Sequence, residues 1–239
     1  MTTKIIEIRG SVELPALRED IELHTGDGFT LVGELSLPLS GAPVATIVAL
    51  HPLPTAGGFM DSHIIRKAAA RLPALATIAV LRFNFRGVSS PRGTSDGHFG
   101  EGIDERHDLA AALAYIADRG LPNVWILGWS FGTEVALKWG LERPIVGAIL
   151  LSPPLHRTTV AEITAWAASS QRLVAVIPEL DDYLRPDEAA ARFAVVPTIE
   201  LVAVAGGKHL WVGENQTRRV LREIVLRLNP TALPLPETL

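Results

Sequence analysis

The stretch that most constrains this chain runs from Asn123 to Ala136, Asn-Val-Trp-Ile-Leu-Gly-Trp-Ser-Phe-Gly-Thr-Glu-Val-Ala. Val124, Trp125, Ile126 and Leu127 form the kind of short apolar run that makes a buried strand. It stops at Gly128-Trp129-Ser130-Phe131-Gly132, and Thr133 to Trp139 then reads as a helix. A serine on so sharp a strand-to-helix turn sits in strained backbone, which is how a G-x-S-x-G segment lifts a hydroxyl above a sheet. Glycine at 128 and 132 lets strand and helix approach without a Cβ clash. The helix that follows aims its positive N-terminus at the serine. On its own the motif also fits a glycine-rich turn without chemistry, so the rest of the chain has to decide.

That rest alternates. Ile5, Ile6 and Ile8 suggest a short strand, and Ile21 to Leu23 leads through the turn Thr25-Gly26-Asp27-Gly28 into Phe29 to Leu37, as in a hairpin. Val44 to Leu50 is an apolar, β-branched strand ending at His51-Pro52. Ser62 to Leu72 has helical spacing, with Ile64, Ile65, Ala68, Ala69 and Leu72 on one side and Pro73 as its expected end. Thr77 to Phe85 reads as a strand, Gly87 to Gly102 as a loop, and Asp104 to Asp118 as a helix stopped at Gly120. Beyond the serine turn come strands at Ile145 to Leu151, Leu173 to Ile177 and Thr198 to Val204. Helices are expected at Val160 to Ala168, Pro186 to Phe193 and Gln216 to Leu228, before a Pro-rich tail from Pro230 that reads as poorly ordered. Strands alternating with helices from residue 44 onward imply an α/β chain, with parallel strands and helices on both faces. With 239 residues, 48% of them hydrophobic, one domain over residues 1–239 is expected.

Composition narrows the chemistry. Cysteine is absent, which removes disulfides, thiolate metal sites and a cysteine nucleophile. A net charge of −4 and no basic run beyond Arg218-Arg219 give no reason to expect nucleic acid or an anionic membrane as partner. The charged N-terminus, Met-Thr-Thr-Lys-Ile-Ile-Glu-Ile-Arg, is unlike a signal peptide, so a cytoplasmic protein is the expectation.

A serine hydroxyl needs a base within hydrogen-bond reach, and that base needs an orienting carboxylate. Where a serine is presented on such a turn, the acid and then the histidine follow on loops after later strands. Two histidines lie beyond Ser130. His209 follows the last strand in Gly206-Gly207-Lys208-His209-Leu210-Trp211, whereas His156 comes too early for an acid to precede it and reads as a solvated loop residue. The acid lies in Glu179-Leu180-Asp181-Asp182, straight after a strand. Adjacent side chains diverge, so only one of Asp181 and Asp182 can serve, the other being left to cap the next helix or pair with Arg185. An oxyanion would be met by the Phe131 N–H and by one N–H from His51-Pro52-Leu53-Pro54, where Leu53 is the only donor between His51 and Thr55. His51 itself reads as a loop anchor.

These blocks, together with Gly57-Gly58-Phe59-Met60 and Arg82-Phe83-Asn84-Phe85-Arg86-Gly87, occur in one order over about residues 20 to 228. The chain thereby resembles the small, capless α/β-hydrolases grouped near dienelactone hydrolases. The resemblance implies a Ser-Asp-His hydrolase on a mostly parallel, eight-stranded sheet, its triad carried onto Ser130, Asp181 and His209. It is this likeness that favours Asp181 over Asp182. There are departures. Many relatives have His-Pro-His-Pro where this chain has His51-Pro52-Leu53-Pro54, and a glycine where it has Pro178. Dienelactone hydrolases proper use a cysteine nucleophile, so their substrate is not carried over.

About twenty residues, Ser152 to Arg172, separate the strand ending at Leu151 from the next, enough for a crossover helix and not for a cap domain. The site is therefore expected to be shallow, with Trp129, Trp211 and Phe59 as candidate walls of an acyl pocket, although aromatics also serve as plain core. Asp96, His98, Asp104, His107 and Asp108 crowd one stretch, but acids at a helix start have a dipole reason to be there, so no metal is expected. No phosphate-binding glycine motif accompanies the loop at 87–102, and no cofactor is expected. The reading is a serine hydrolase acting on small-molecule carboxylic esters of short acyl groups. Two rivals stand beside it: an acyltransferase on the same triad, and a non-catalytic binding protein retaining the fold. A homodimer roofing the site is compatible with the sequence.

Overall fold

A computed structural model describes residues 7–238. Strands β1 (Leu17–His24) and β2 (Thr30–Leu37) form an antiparallel hairpin in which Leu23 faces Leu31. Then come β3 (Ala45–Leu50), α1 (His63–Ala76) and β4 (Ile78–Phe83). The loop at 87–102 holds a two-stranded ribbon, β5 (Ser89–Ser90) with β6 (Gly93–Thr94), ahead of α2 (Glu105–Asp118). The second half runs β7 (Val124–Trp129), α3 (Phe131–Trp139), β8 (Gly147–Leu151), α4 (Val160–Ala165), β9 (Arg172–Pro178), α5 (Pro186–Phe193), β10 (Glu200–Val204) and α6 (Glu214–Leu228).

Eight of these strands share one sheet, in the order β1-β2-β4-β3-β7-β8-β9-β10. From β4 to β10 every neighbouring pair is parallel, and β2, antiparallel to both β1 and β4, alone runs the other way. Strands β3 and β4 are buried from end to end, as strands covered on both faces must be. Alternation sorts their side chains. Ile47, Ala49, Val80, Leu127 and Trp129 join Ile64, Ile65, Ala68 and Leu72 of α1 and Val220, Leu221 and Ile224 of α6. Val48, Leu50, Leu81 and Ile126 face the other way, onto Leu109 and Ile116 of α2 and Phe131 and Val135 of α3.

The expected strand over Ile5, Ile6 and Ile8 falls largely outside the described residues; Ile8 itself is buried, its N–H donating to Glu237 O at 2.8 Å. Two expectations need correction. Pro73 does not end α1, which continues to Ala76. A proline at that position forfeits one bond, to the Ala69 carbonyl, while the apolar stripe runs on through Leu72 and Ala76, both buried. The tail after Pro230 is not loose either. Leu233 and Leu235 pack on the α1/α6 face of the core, and prolines 234 and 236 bring no N–H that needs a partner.

Candidate active site

The strand–turn–helix passage from β7 to α3 leaves Ser130 at φ 51°, ψ −117°, a conformation that a residue with a side chain rarely adopts. Local bonds hold it there. Its N–H donates to Leu151 O at 2.9 Å, and its carbonyl accepts from the Thr133 N–H at 2.9 Å and the Thr133 hydroxyl at 2.6 Å. A Cβ at residue 132 would lie 2.2 Å from Leu50 O, and one at residue 128 would lie 2.6 Å from Gly132 O. Both glycines of the motif are therefore demanded by close backbone approach, and Ser130 is left partly exposed.

Across from it stands His209, on the loop between β10 and α6. Its Nε2 is 2.9 Å from Ser130 Oγ, and its Nδ1 is 3.0 Å and 3.1 Å from the two carboxylate oxygens of Asp181. A carboxylate only accepts, so the proton sits on Nδ1 and leaves Nε2 to accept from the serine hydroxyl. Asp181 is buried, and one of its oxygens also accepts the N–H groups of Tyr183 and Leu184 at 2.8 Å and 3.3 Å. Burial pushes its carboxyl up. The bonds from His209 and those two N–H groups outweigh burial and hold it below the ordinary aspartate value. Asp182 is exposed and takes neither role imagined for it. Glu188, not Asp182, accepts the Arg185 N–H at the start of α5.

The turn after β3 is drawn tight by bonds from the Ala56 and Gly58 N–H groups to Leu53 O, at 3.0 Å and 2.9 Å. The N–H groups of Leu53 and Phe131 donate to no other described group. His51 anchors the base of this turn. Its Nε2 accepts the Phe85 N–H at 3.0 Å, which puts the proton on Nδ1, 2.7 Å from Pro52 O. Complete burial outweighs that carbonyl and depresses the imidazole to about 4, so it remains neutral at physiological pH.

Of the three expected pocket aromatics, only Phe59 lines a hollow. With Pro54, Gly58, Val88 and Phe99 it borders a recess of about 370 Å³ beside the Leu53 turn. Trp129 and Trp211 are buried in the α1/α6 core and offer no surface to a substrate. Alternation along β7 explains Trp129, which shares its face with Leu127 and Trp125. Sequence reasoning missed Tyr183. Its half-exposed ring meets His209 edge-on at 4.5 Å and the exposed His156 at 5.4 Å. The available signal was its position two residues beyond Asp181, on the same turn. A larger hollow, about 510 Å³, lies under the C-terminal tail, and Ser130, His209, Asp181 and the Leu53 turn do not line it.

In the 96–108 stretch, Asp108 is taken by Arg86, whose Nε and Nη2 donate to it at 2.9 Å and 2.8 Å, and Asp96 accepts the Thr30 N–H. No group of three or more metal-ligating side chains gathers among the described residues, and no helix among them is long and apolar enough to cross a membrane.

No protein-family model matches the chain. It is 37% identical over 119 residues to an uncharacterized protein of Rickettsia prowazekii, a match that spans about half of each chain, 48% of this one and 47% of that one. Among solved structures it is similar to an α/β serine hydrolase without lid from Xanthomonas campestris, at TM-score 0.74 and 25% identity, over 94% of this chain and 99% of that one. An α/β serine hydrolase homologue from Coxiella burnetii matches at TM-score 0.71 and 23% identity, over 87% and 96%. An esterase of Pyrococcus furiosus matches at 0.69 and 21%, over 89% and 93%.

Proposed function

We propose that this chain, which has the fold of the small capless α/β serine hydrolases, hydrolyses carboxylic esters of short acyl groups through Ser130, His209 and Asp181. The observation that carries the reading is the unbroken run of hydrogen bonds from Ser130 Oγ through both nitrogens of His209 to Asp181. In the first half-reaction Ser130 Oγ attacks the ester carbonyl carbon and its proton passes to His209 Nε2. Asp181 holds the Nδ1 proton and balances the imidazolium charge. The carbonyl oxygen, now carrying the negative charge, is met by the Leu53 and Phe131 N–H groups, which have no other partner to give up. Collapse breaks the bond to the leaving alkoxide, which takes the proton from His209 and departs as the alcohol. In the second half-reaction water attacks the acyl-enzyme and gives its proton to His209. The acid then leaves as Ser130 recovers its hydrogen.

The short-acyl preference is supported by the connection between β8 and β9. Residues 152–171 hold α4 and one 3-10 turn and no inserted cap. Apolar burial stabilises a bound acyl chain by about 25 cal/mol per Å², so methylenes that project past a shallow recess add little. One experiment tests both parts: p-nitrophenyl esters from acetyl to dodecanoyl, below their micelle thresholds, with the wild type and Ser130→Ala. The wild type should favour acetyl to butyryl, and Ser130→Ala should lose all but a residual rate while keeping its Tm. Undiminished turnover by Ser130→Ala would remove the triad. A kcat/KM that climbs steadily to dodecanoyl would remove the substrate class.

A further inference from the structure

His209 is held at its ring by Ser130 and Asp181, but its backbone is tied down in an unusual way. The loop carrying it has glycines on both flanks, Gly206 at φ 65° and Gly213 at φ 101°, with nothing within 4 Å of where a Cβ would stand at either. The His209 N–H donates to no described group. Its carbonyl oxygen, by contrast, accepts two side-chain bonds, from Trp129 Nε1 at 3.2 Å and from Ser152 Oγ at 3.2 Å. Both donors are buried, at 2% and 1% exposure. Burial obliges each to find an acceptor, yet it does not oblige both to choose the same one.

The donors come from the two strand ends that also fix the nucleophile. Trp129 immediately precedes Ser130. Ser152 immediately follows Leu151, whose carbonyl accepts the Ser130 N–H. Ser152 adopts φ 49°, a conformation unfavourable for a residue with a side chain, and the strained backbone aims its hydroxyl at the histidine loop. Behind Trp129, the His63 ring packs edge-on at 5.2 Å while its Nε2 donates to Leu210 O at 2.7 Å. The backbone of His209 is thus referred to the ends of β7 and β8, and its ring to Ser130 after β7 and Asp181 after β9.

We infer that Trp129 and Ser152 are positioning residues for the proposed reaction, clamping the His209 carbonyl so that Nε2 stays in register with Ser130 Oγ. The inference rests on the reading of His209 as the base. Because both donors share one acceptor, either alone still anchors the loop, and the two losses are coupled.

The test uses Trp129→Phe, Ser152→Gly and the double variant, measured for kcat, KM and Tm with p-nitrophenyl acetate. Each single substitution should lower kcat about fivefold with KM unchanged, and the double variant about 100-fold, the cost of an ångström's misplacement of a reacting group. Ser152→Gly separates positioning from mere structural support. Glycine relieves the left-handed strain, so Tm should hold or rise while kcat falls. A structural role would move the two together. Wild-type kcat in the double variant, or activity that tracks Tm across the set, overturns the clamp, and should Trp129→Phe not fold, an unchanged kcat in Ser152→Gly does so. Ser130→Ala run alongside keeps the failures apart: if it retains full activity the triad reading has failed, and if it is inactive while the clamp variants are normal, only this inference has.

Discussion

Asp181 and Asp182 are the same residue type one position apart, and the difference in their surroundings is complete. One is enclosed, facing the proposed base and two backbone N–H groups; the other is in solvent. Asp181→Asn leaves the volume unchanged but offers His209 Nδ1 an amide that can impose the wrong tautomer. It should cost about 10⁴ in kcat toward p-nitrophenyl acetate, and Asp182→Asn should cost less than about twofold. The opposite order of losses would reassign the acid. Sequence spacing brought the argument as far as this dipeptide. Residue types alone could not choose within it, because the choice is made by the N–H groups of Tyr183 and Leu184, whose direction depends on how the turn folds. The same holds for Trp129. An aromatic next to the proposed nucleophile invites a pocket role, yet period-two alternation along β7 turns it into the core.

At the scale of elements, the passage from β7 to α3 was the most legible, since its two glycines answer to contacts that any sharp strand-to-helix turn must make. Gly132→Ala would place a methyl 2.2 Å from Leu50 O, a backbone atom that cannot swing aside. Urea unfolding should show a loss of about 3 kcal/mol, the upper end for overpacking, with activity falling as β3 and its Leu53 turn are pushed away. A loss under about 0.5 kcal/mol would mean that the turn has slack absent from this structure. Less legible were features where packing overrides a local rule. A stop at Pro73 follows from propensity, but burial of Leu72 and Ala76 against the sheet carries α1 one turn further. Prolines made the tail after Asn229 look loose, while Leu233 and Leu235 find a face to cover that exists only after α1 and α6 are in place.

For the molecule as a whole, Glu214 at the start of α6 ties three segments distant in sequence. Its carboxylate takes Arg71 and Lys67 from α1 and the Gly10 N–H from the N-terminal segment. Burial opposes the charge; Arg71, Gly10 and Lys67 overcome it and lower the carboxyl to about 2 from the ordinary 4.5. A depressed folded value means that the unfolded chain takes up the proton first. The contribution is therefore fully present above about pH 4.5 and lost as the pH falls toward 2, amounting to about 3 kcal/mol at most. Denaturation of wild type and Glu214→Gln should show a stability gap at pH 7 that closes by pH 2. A gap independent of pH would count against the charge as its source.

The short passage from β8 to β9 has a kinetic consequence. Hydrolases that carry a hinged cover spend part of each cycle opening it, and a lipid–water interface can speed them by holding it open. With no such segment between residues 152 and 171, hydrolysis at the proposed site is expected not to wait on an interface. Initial rates on tributyrin should rise hyperbolically with concentration and pass its solubility limit without a jump, and progress curves should begin without a lag. A sharp acceleration on emulsion formation would reveal a moving cover made from some other part of the chain.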